Sequence, residues 1–136
     1  MQFQSKLADI PTTIFTTVSR RARELSALDI GQGFPDFPIG SLLSEHVPAA
    51  MREGHNQYAP MTGVQSLREA IASKIDATYQ KSVDVDAEIT VTCGATEALH
   101  SAILSLVRSG DEVILFDPAY DSYEPVVNLA GGRCIR

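Results

Sequence analysis

The sequence predicts an α/β fold in which parallel strands alternate with helices. Three observations predict it. Two short apolar runs, Ile89-Thr90-Val91-Thr92 and Val113 to Phe116, have the length and composition of buried strands. Between them Leu99, Ala102, Ile103, Leu106 and Val107 recur at i, i+3, i+4, i+7 and i+8, one apolar stripe of an amphipathic helix. After Gly131-Gly132, the run Arg133-Cys134-Ile135-Arg136 reads as the opening of a third strand. Two strands joined by one helix form a βαβ unit, whose strands run parallel and whose crossover is right-handed.

Taken in order, the first helix falls between Pro11 and Leu28, with Ile14, Val18 and Leu25 near helical spacing and Arg20, Arg21 and Arg23 on a solvated side. The stretch Leu28 to Pro38, rich in glycine, proline and aromatics, continues neither a helix nor a central strand and is an ordered loop. Its glycines suit either an inter-element turn or a place where backbone approaches a ligand. A second helix runs from Ser41 to about Glu53 and closes at Gly54, burying Leu43, Val47, Ala50 and Met51; Pro48 requires it to start late, nearer Ser44, or to bend. Thr62 and Gln65 have capping-box spacing, so a third helix opens at Gly63, with Val64, Leu67, Ile71 and Ile75 buried and Arg68 and Lys74 facing water or a partner. Gln80 to Ala87 is a polar, acidic connection. Arg108 and Gly110 end the helix that follows Thr92, and Val126, Val127, Leu129 and Ala130 form a last helical stretch.

The chemistry lies where the first strand turns into its helix, at Cys93-Gly94-Ala95-Thr96. The first amides of a helix have no internal acceptor, so Gly94, Ala95 and Thr96 aim free donors beyond the strand's end, and a phosphate fits there. Gly94 admits close approach, Ala95 adds little bulk, and the Thr96 hydroxyl adds a donor at the positive end of the helix dipole. Small residues at such a turn also serve helix–sheet packing alone. Neither a Walker loop nor a dinucleotide fingerprint is present.

Composition bounds the rest. The 136 residues suffice for one core of ordinary size, and a formal net charge of −6 argues against a nucleic-acid partner. No apolar run approaches a membrane span, and Met1 to Lys6 lacks a signal-peptide core, which reads as cytoplasmic. Cys93 and Cys134 have neither disulfide-framework nor zinc spacing, and His46 and His55 lack a completing carboxylate arrangement, so no metal is expected.

Read together, Gly31-Gln32-Gly33-Phe34-Pro35-Asp36-Phe37, Asn56-Gln57-Tyr58 with Gly63 and Leu67-Arg68-Glu69, Ile89 to Leu99, Gly110-Asp111-Glu112-Val113 and Asp117 to Pro125 resemble the class I aminotransferases of fold type I, more closely the methionine and kynurenine aminotransferase branch. The resemblance spans residues 28 to 132 and about the first third of the family's length. It implies that residues 1–40 form an N-terminal helical arm and substrate-side loop, and that residues 41–136 form the first part of a large domain that binds pyridoxal 5′-phosphate. It implies that Gly94, Ala95 and Thr96 hold the cofactor phosphate and that Tyr120 stacks on the pyridine ring. A core aromatic is the other reading of Tyr120. It also implies that Tyr58 reaches the neighbouring site of a homodimer and that the backbone around Gly33 lies near the substrate carboxylate, in preference to a plain turn.

The Schiff-base lysine of the family follows a Ser-x-x-Lys pattern, and Lys6, Lys74 and Lys81 lack that context. The implied activity is transfer of an amino group from methionine, aromatic amino acids or kynurenine to a 2-oxo acid by a longer protein, this chain alone being inactive and leaving a sheet edge and apolar faces uncovered. The alternative is a non-catalytic α/β chain, complete as written, that binds a phosphate compound or a full-length relative.

Overall fold

In a computed structural model, residues 3–7 and 10–136 are described. By its contacts the chain forms two compact units, Met1–Asp36 with Thr96–Arg136, and Phe37–Ala95.

The first unit contains α1 (Ile14–Glu24), whose N-cap Thr13 accepts from the Thr16 amide at 3.3 Å, the bond a capping threonine is selected for. Its centre is a parallel pair, β1 (Glu112–Ile114) and β2 (Arg133–Ile135), with Val113 opposite Cys134. They are joined through α5 (Tyr123–Leu129), which packs on β2 and buries Val126 and Val127. A Cβ on Gly132 would stand 2.7 Å from Val107 and 3.0 Å from Val127, so only glycine lets the chain enter β2 this close to the core. Arg133 pairs with Glu112 across the two strands. The expected second and third strands therefore form, and the βαβ unit falls one step later along the chain than Ile89 to Phe116.

The expected helix from Ala95 is α4 (Ala95–Leu106); it ends two residues before Arg108, whose amide instead donates to the Asp111 carboxylate at 2.8 Å. Its apolar stripe is not buried. Leu99, Ile103 and Val107 are half-covered, and Leu106 is exposed.

The second unit departs further from expectation. Here α2 (Ser41–Arg52) starts on Gly40, whose carbonyl accepts from Leu43 and Ser44, and it runs through Pro48. One missing amide removes one bond, and the others carry the helix past it. Leu43, Val47 and Met51 are exposed, because no described layer covers that face. The capping box is absent. The helix α3 (Gln65–Tyr79) has Val64 at its N-cap with no side-chain bond, Gln65 binds Arg68 and Glu69, and Gly63 stands outside the helix at φ +99°. Its buried residue is Arg68, expected to face water or a partner, while Val64 and Leu67 are more than two-fifths exposed.

Ile89 is buried, yet Ile89 to Thr92 pairs in no ladder among the described residues. An apolar run supplies a strand's side chains but not its neighbour, and here the Val91 amide finds a single acceptor, the Thr62 carbonyl at 3.0 Å. The acidic connection before it is an ordered turn. The Asp84 carboxylate accepts the amides of Asp86 and Ala87 at 2.8 and 2.9 Å, and the Glu88 carboxylate accepts the Asp84 amide at 2.7 Å.

Those bonds from Ala87 and Asp86 hold the Asp84 carboxyl below the usual aspartate range. A lowered folded value means the contribution is complete above the unfolded value of about 3.9 and is lost as pH falls through the folded one. The stability difference between the wild type and D84A is expected to be constant near neutrality and to shrink below about pH 4, measured by denaturant unfolding across that range. A difference that is flat down to the lowest pH would refute the assignment.

Candidate functional site

The turn at the start of α4 is built by Gly94 at φ +86°, where any other residue would be strained. Its Cβ would enter open space, so conformation and not crowding demands glycine. The Gly94 amide is not free. It donates to the Thr92 carbonyl at 2.8 Å, and the Thr92 hydroxyl donates back to the Gly94 carbonyl at 3.0 Å, closing a tight loop. The two amides that follow, of Ala95 and Thr96, meet no acceptor among the described residues. Two of the three expected donors thus point outward at the helix's positive end.

Thr96 and Tyr120 line one cavity of the first unit, of about 630 Å³. His100, one turn beyond Thr96, lines it too, as do Ile10 to Ile14. Neither His100 nor that segment stands out in the sequence: the histidine belongs to no motif, and a wall is set by tertiary placement. Tyr120 is 45% exposed. Its ring is held edge-to-face by Tyr123, the first residue of α5, with centroids 5.7 Å apart and planes at 76°. Arg136 lines the same cavity but is engaged by Asp117 and Glu124.

The residues present fit a phosphorylated, flat, heteroaromatic cofactor: two unsatisfied amides and a hydroxyl at a helix start, and a half-exposed aromatic on the cavity that Thr96 enters. Tyr58, in the second unit, is fully exposed. Gly33 has no atom within 4 Å of the position a Cβ would take, so its backbone is open; the steric demand for glycine in that loop falls on Gly31, whose Cβ would lie 2.5 Å from Val18. Among the described residues no cluster of His, Cys, Asp or Glu is arranged to hold a metal, and no helix is long and apolar enough to cross a membrane.

Comparison with known proteins bears on these features. Residues 27–136 match the family of class I and II aminotransferases. A methionine aminotransferase of Escherichia coli is 56% identical over 129 residues, covering 95% of this chain and 33% of that protein. Kynurenine–oxoglutarate transaminase 3 of Rattus norvegicus is 37% identical over 127 residues, covering 93% of this chain and 28% of its own length. The crystal structure of the Escherichia coli protein YbdL, described as having a methionine aminotransferase function, superposes with a TM-score of 0.93 at 54% identity, over all of this chain and 36% of that one. The chain spans about a third of the length of the relatives it matches, and its α/β architecture is that of the N-terminal part of the fold type I large domain. The chain belongs to the class I and II aminotransferases.

Proposed function

We propose that this chain is the front part of a pyridoxal 5′-phosphate-dependent aminotransferase that moves an amino group from methionine, an aromatic amino acid or kynurenine to a 2-oxo acid. The observation that carries the reading is the meeting of Thr96, at an unsatisfied helix start, and the half-exposed Tyr120 on one cavity. The similarity to methionine and kynurenine aminotransferases supports the donor class.

In this reading the amides of Ala95 and Thr96, with the Thr96 hydroxyl, hold the phosphate, and Gly94 gives the chain the turn that aims them. Tyr120, fixed by Tyr123, lies against the ring and sets its plane. The open backbone at Gly33 receives the substrate carboxylate, and the exposed Tyr58 reaches the phosphate of a second subunit in a homodimer. The cofactor, when bound, supplies a carbonyl that exchanges with the amino group and an electron-withdrawing ring. The lysine that carries it lies in a downstream Ser-x-x-Lys segment of a cytoplasmic enzyme; residues 1–40 are the arm and substrate-side loop, and residues 41–136 begin the cofactor domain.

The test is binding of pyridoxal 5′-phosphate and of dephosphorylated pyridoxal to the full-length product, followed by absorbance. Thr96→Val is expected to weaken the phosphorylated form about tenfold, the size of a hydrogen bond to a charged group, and to leave pyridoxal unchanged. Equal affinity of the wild type for both would sink the reading.

A further inference from the structure

The second unit holds one buried charge among its described residues, and nothing in the proposed chemistry uses it. Arg68 is 7% exposed. Its Nη1 donates to the Val85 carbonyl at 2.7 Å and to the Asp86 carboxylate at 2.9 Å, its Nε to the Gly63 carbonyl at 3.2 Å, and its Nη2 to Gln65 Oε1 at 2.6 Å. Two of these acceptors, Val85 and Asp86, lie 17 and 18 residues along the chain. They sit in the turn that Asp84 and Glu88 lock, immediately before Ile89.

The other end of the same segment is held at the same place. Gly63, which Arg68 grips, stands at φ +99° with its missing Cβ 2.6 Å from Val91, and the adjacent Thr62 carbonyl accepts the Val91 amide. Val85 to Val91 is therefore pinned at one end to the Arg68 guanidinium and at the other to the dipeptide Thr62-Gly63, which the same guanidinium grips. Since Ile89 to Thr92 has no ladder among the described residues, these point contacts fix where the chain arrives at Gly94, three residues on.

We infer that Arg68 is a positioning residue for the phosphate turn: its planar fork holds the Val85–Val91 segment against Gly63 and so aims the turn at Gly94 and Ala95. The inference rests on the proposed phosphate role of that turn. Arginine is required because a single planar group must satisfy carbonyls from two segments at once, which a lysine ammonium on its flexible stem does not reproduce.

The experiment uses the full-length product with R68M and, since that variant risks misfolding, D86N. Asp86 is 79% exposed on its side chain, so Asn in its place removes the charge from one partner of the fork while keeping an acceptor oxygen, and leaves the core intact. Three quantities are read for each protein: the midpoint of thermal unfolding, the dissociation constant of pyridoxal 5′-phosphate, and that of pyridoxal. Loss of the outer partner of a metal-ligating residue typically costs ten- to a hundredfold in affinity, and the phosphate turn is expected to respond at the lower end of that range. R68M is expected to weaken the phosphorylated form about tenfold and D86N a few-fold, with pyridoxal unchanged in both. A lower midpoint with an unchanged ratio of the two constants in both variants makes Arg68 a stabilising residue only and overturns the inference while the phosphate reading stands. A wild type without preference for the phosphorylated form overturns both.

Discussion

Made as a separate polypeptide, the 136 residues are expected to transfer no amino group from methionine to a 2-oxo acid beyond what free pyridoxal 5′-phosphate does in the same buffer. The reaction needs an amine that carries the cofactor and then moves a proton at the substrate's Cα, and such lysines are activated by desolvation in an apolar pocket or by a neighbouring cation. The chain has Lys6, Lys74 and Lys81, all exposed, and none lines the cavity that Thr96 and Tyr120 share. Lys74 lies on the outer side of α3, and Lys81 follows its C-terminus. Binding alone leaves out most of the millionfold or greater acceleration of an enzyme, so the expected effect is total loss against the full-length product. Chromatographic detection of the new amino acid decides it. Saturable turnover by the separate chain, abolished in K74A or K81A, would show that a surface lysine serves after all.

What the sequence makes legible and what it hides follow from the range of the forces involved. Helix starts and periodicities are local, so α1 behind Thr13 and the helix after Gly94 are readable from neighbours in the chain. The parallel pair of β1 and β2 is readable because its crossover is short enough to show both apolar runs and the Gly131-Gly132 break. Ile89 to Thr92 has the same composition, but a strand exists through its neighbour, and composition does not name one. Thr62 and Gln65 have the spacing of a cap, but Gln65 is taken by Arg68 and Glu69. Arg68 itself defeats the rule that a charge on a helix faces water, because two of its four acceptors come from a turn 17 and 18 residues away. That turn had a signal: Asp84 and Glu88 bracket it as a capping pair brackets a helix. At the site, the outward amides follow from the Gly94 turn, whereas the exposure of Tyr120 depends on Tyr123 and on the cavity, which only tertiary structure sets.

Gly63→Val is expected to be the most damaging single substitution in the second unit, with a cost of about 2–6 kcal/mol. Two independent penalties combine there. At φ +99° a β-branched residue pays the strain of a left-handed backbone, about 1–3 kcal/mol. Its Cβ would also stand 2.6 and 2.8 Å from the Cγ2 and Cβ of Val91, an overpacking of about 1–3 kcal/mol that the flanking Thr62–Val91 hydrogen bond does not let relax. Gly54 separates the two. It has nearly the same backbone, φ +89°, but nothing within 4 Å of its Cβ, so Gly54→Val carries the strain without the clash. Denaturant unfolding of the full-length product is expected to place G54V about 1–3 kcal/mol and G63V about 2–6 kcal/mol below the wild type, G63V the lower of the two, against total stabilities of roughly 5–15 kcal/mol. Equal losses in the two variants would mean that Val91 does not press on Gly63. The segment leading to the Gly94 turn would then be held in some way other than by that contact, and the reason for a glycine at position 63 would be backbone conformation alone.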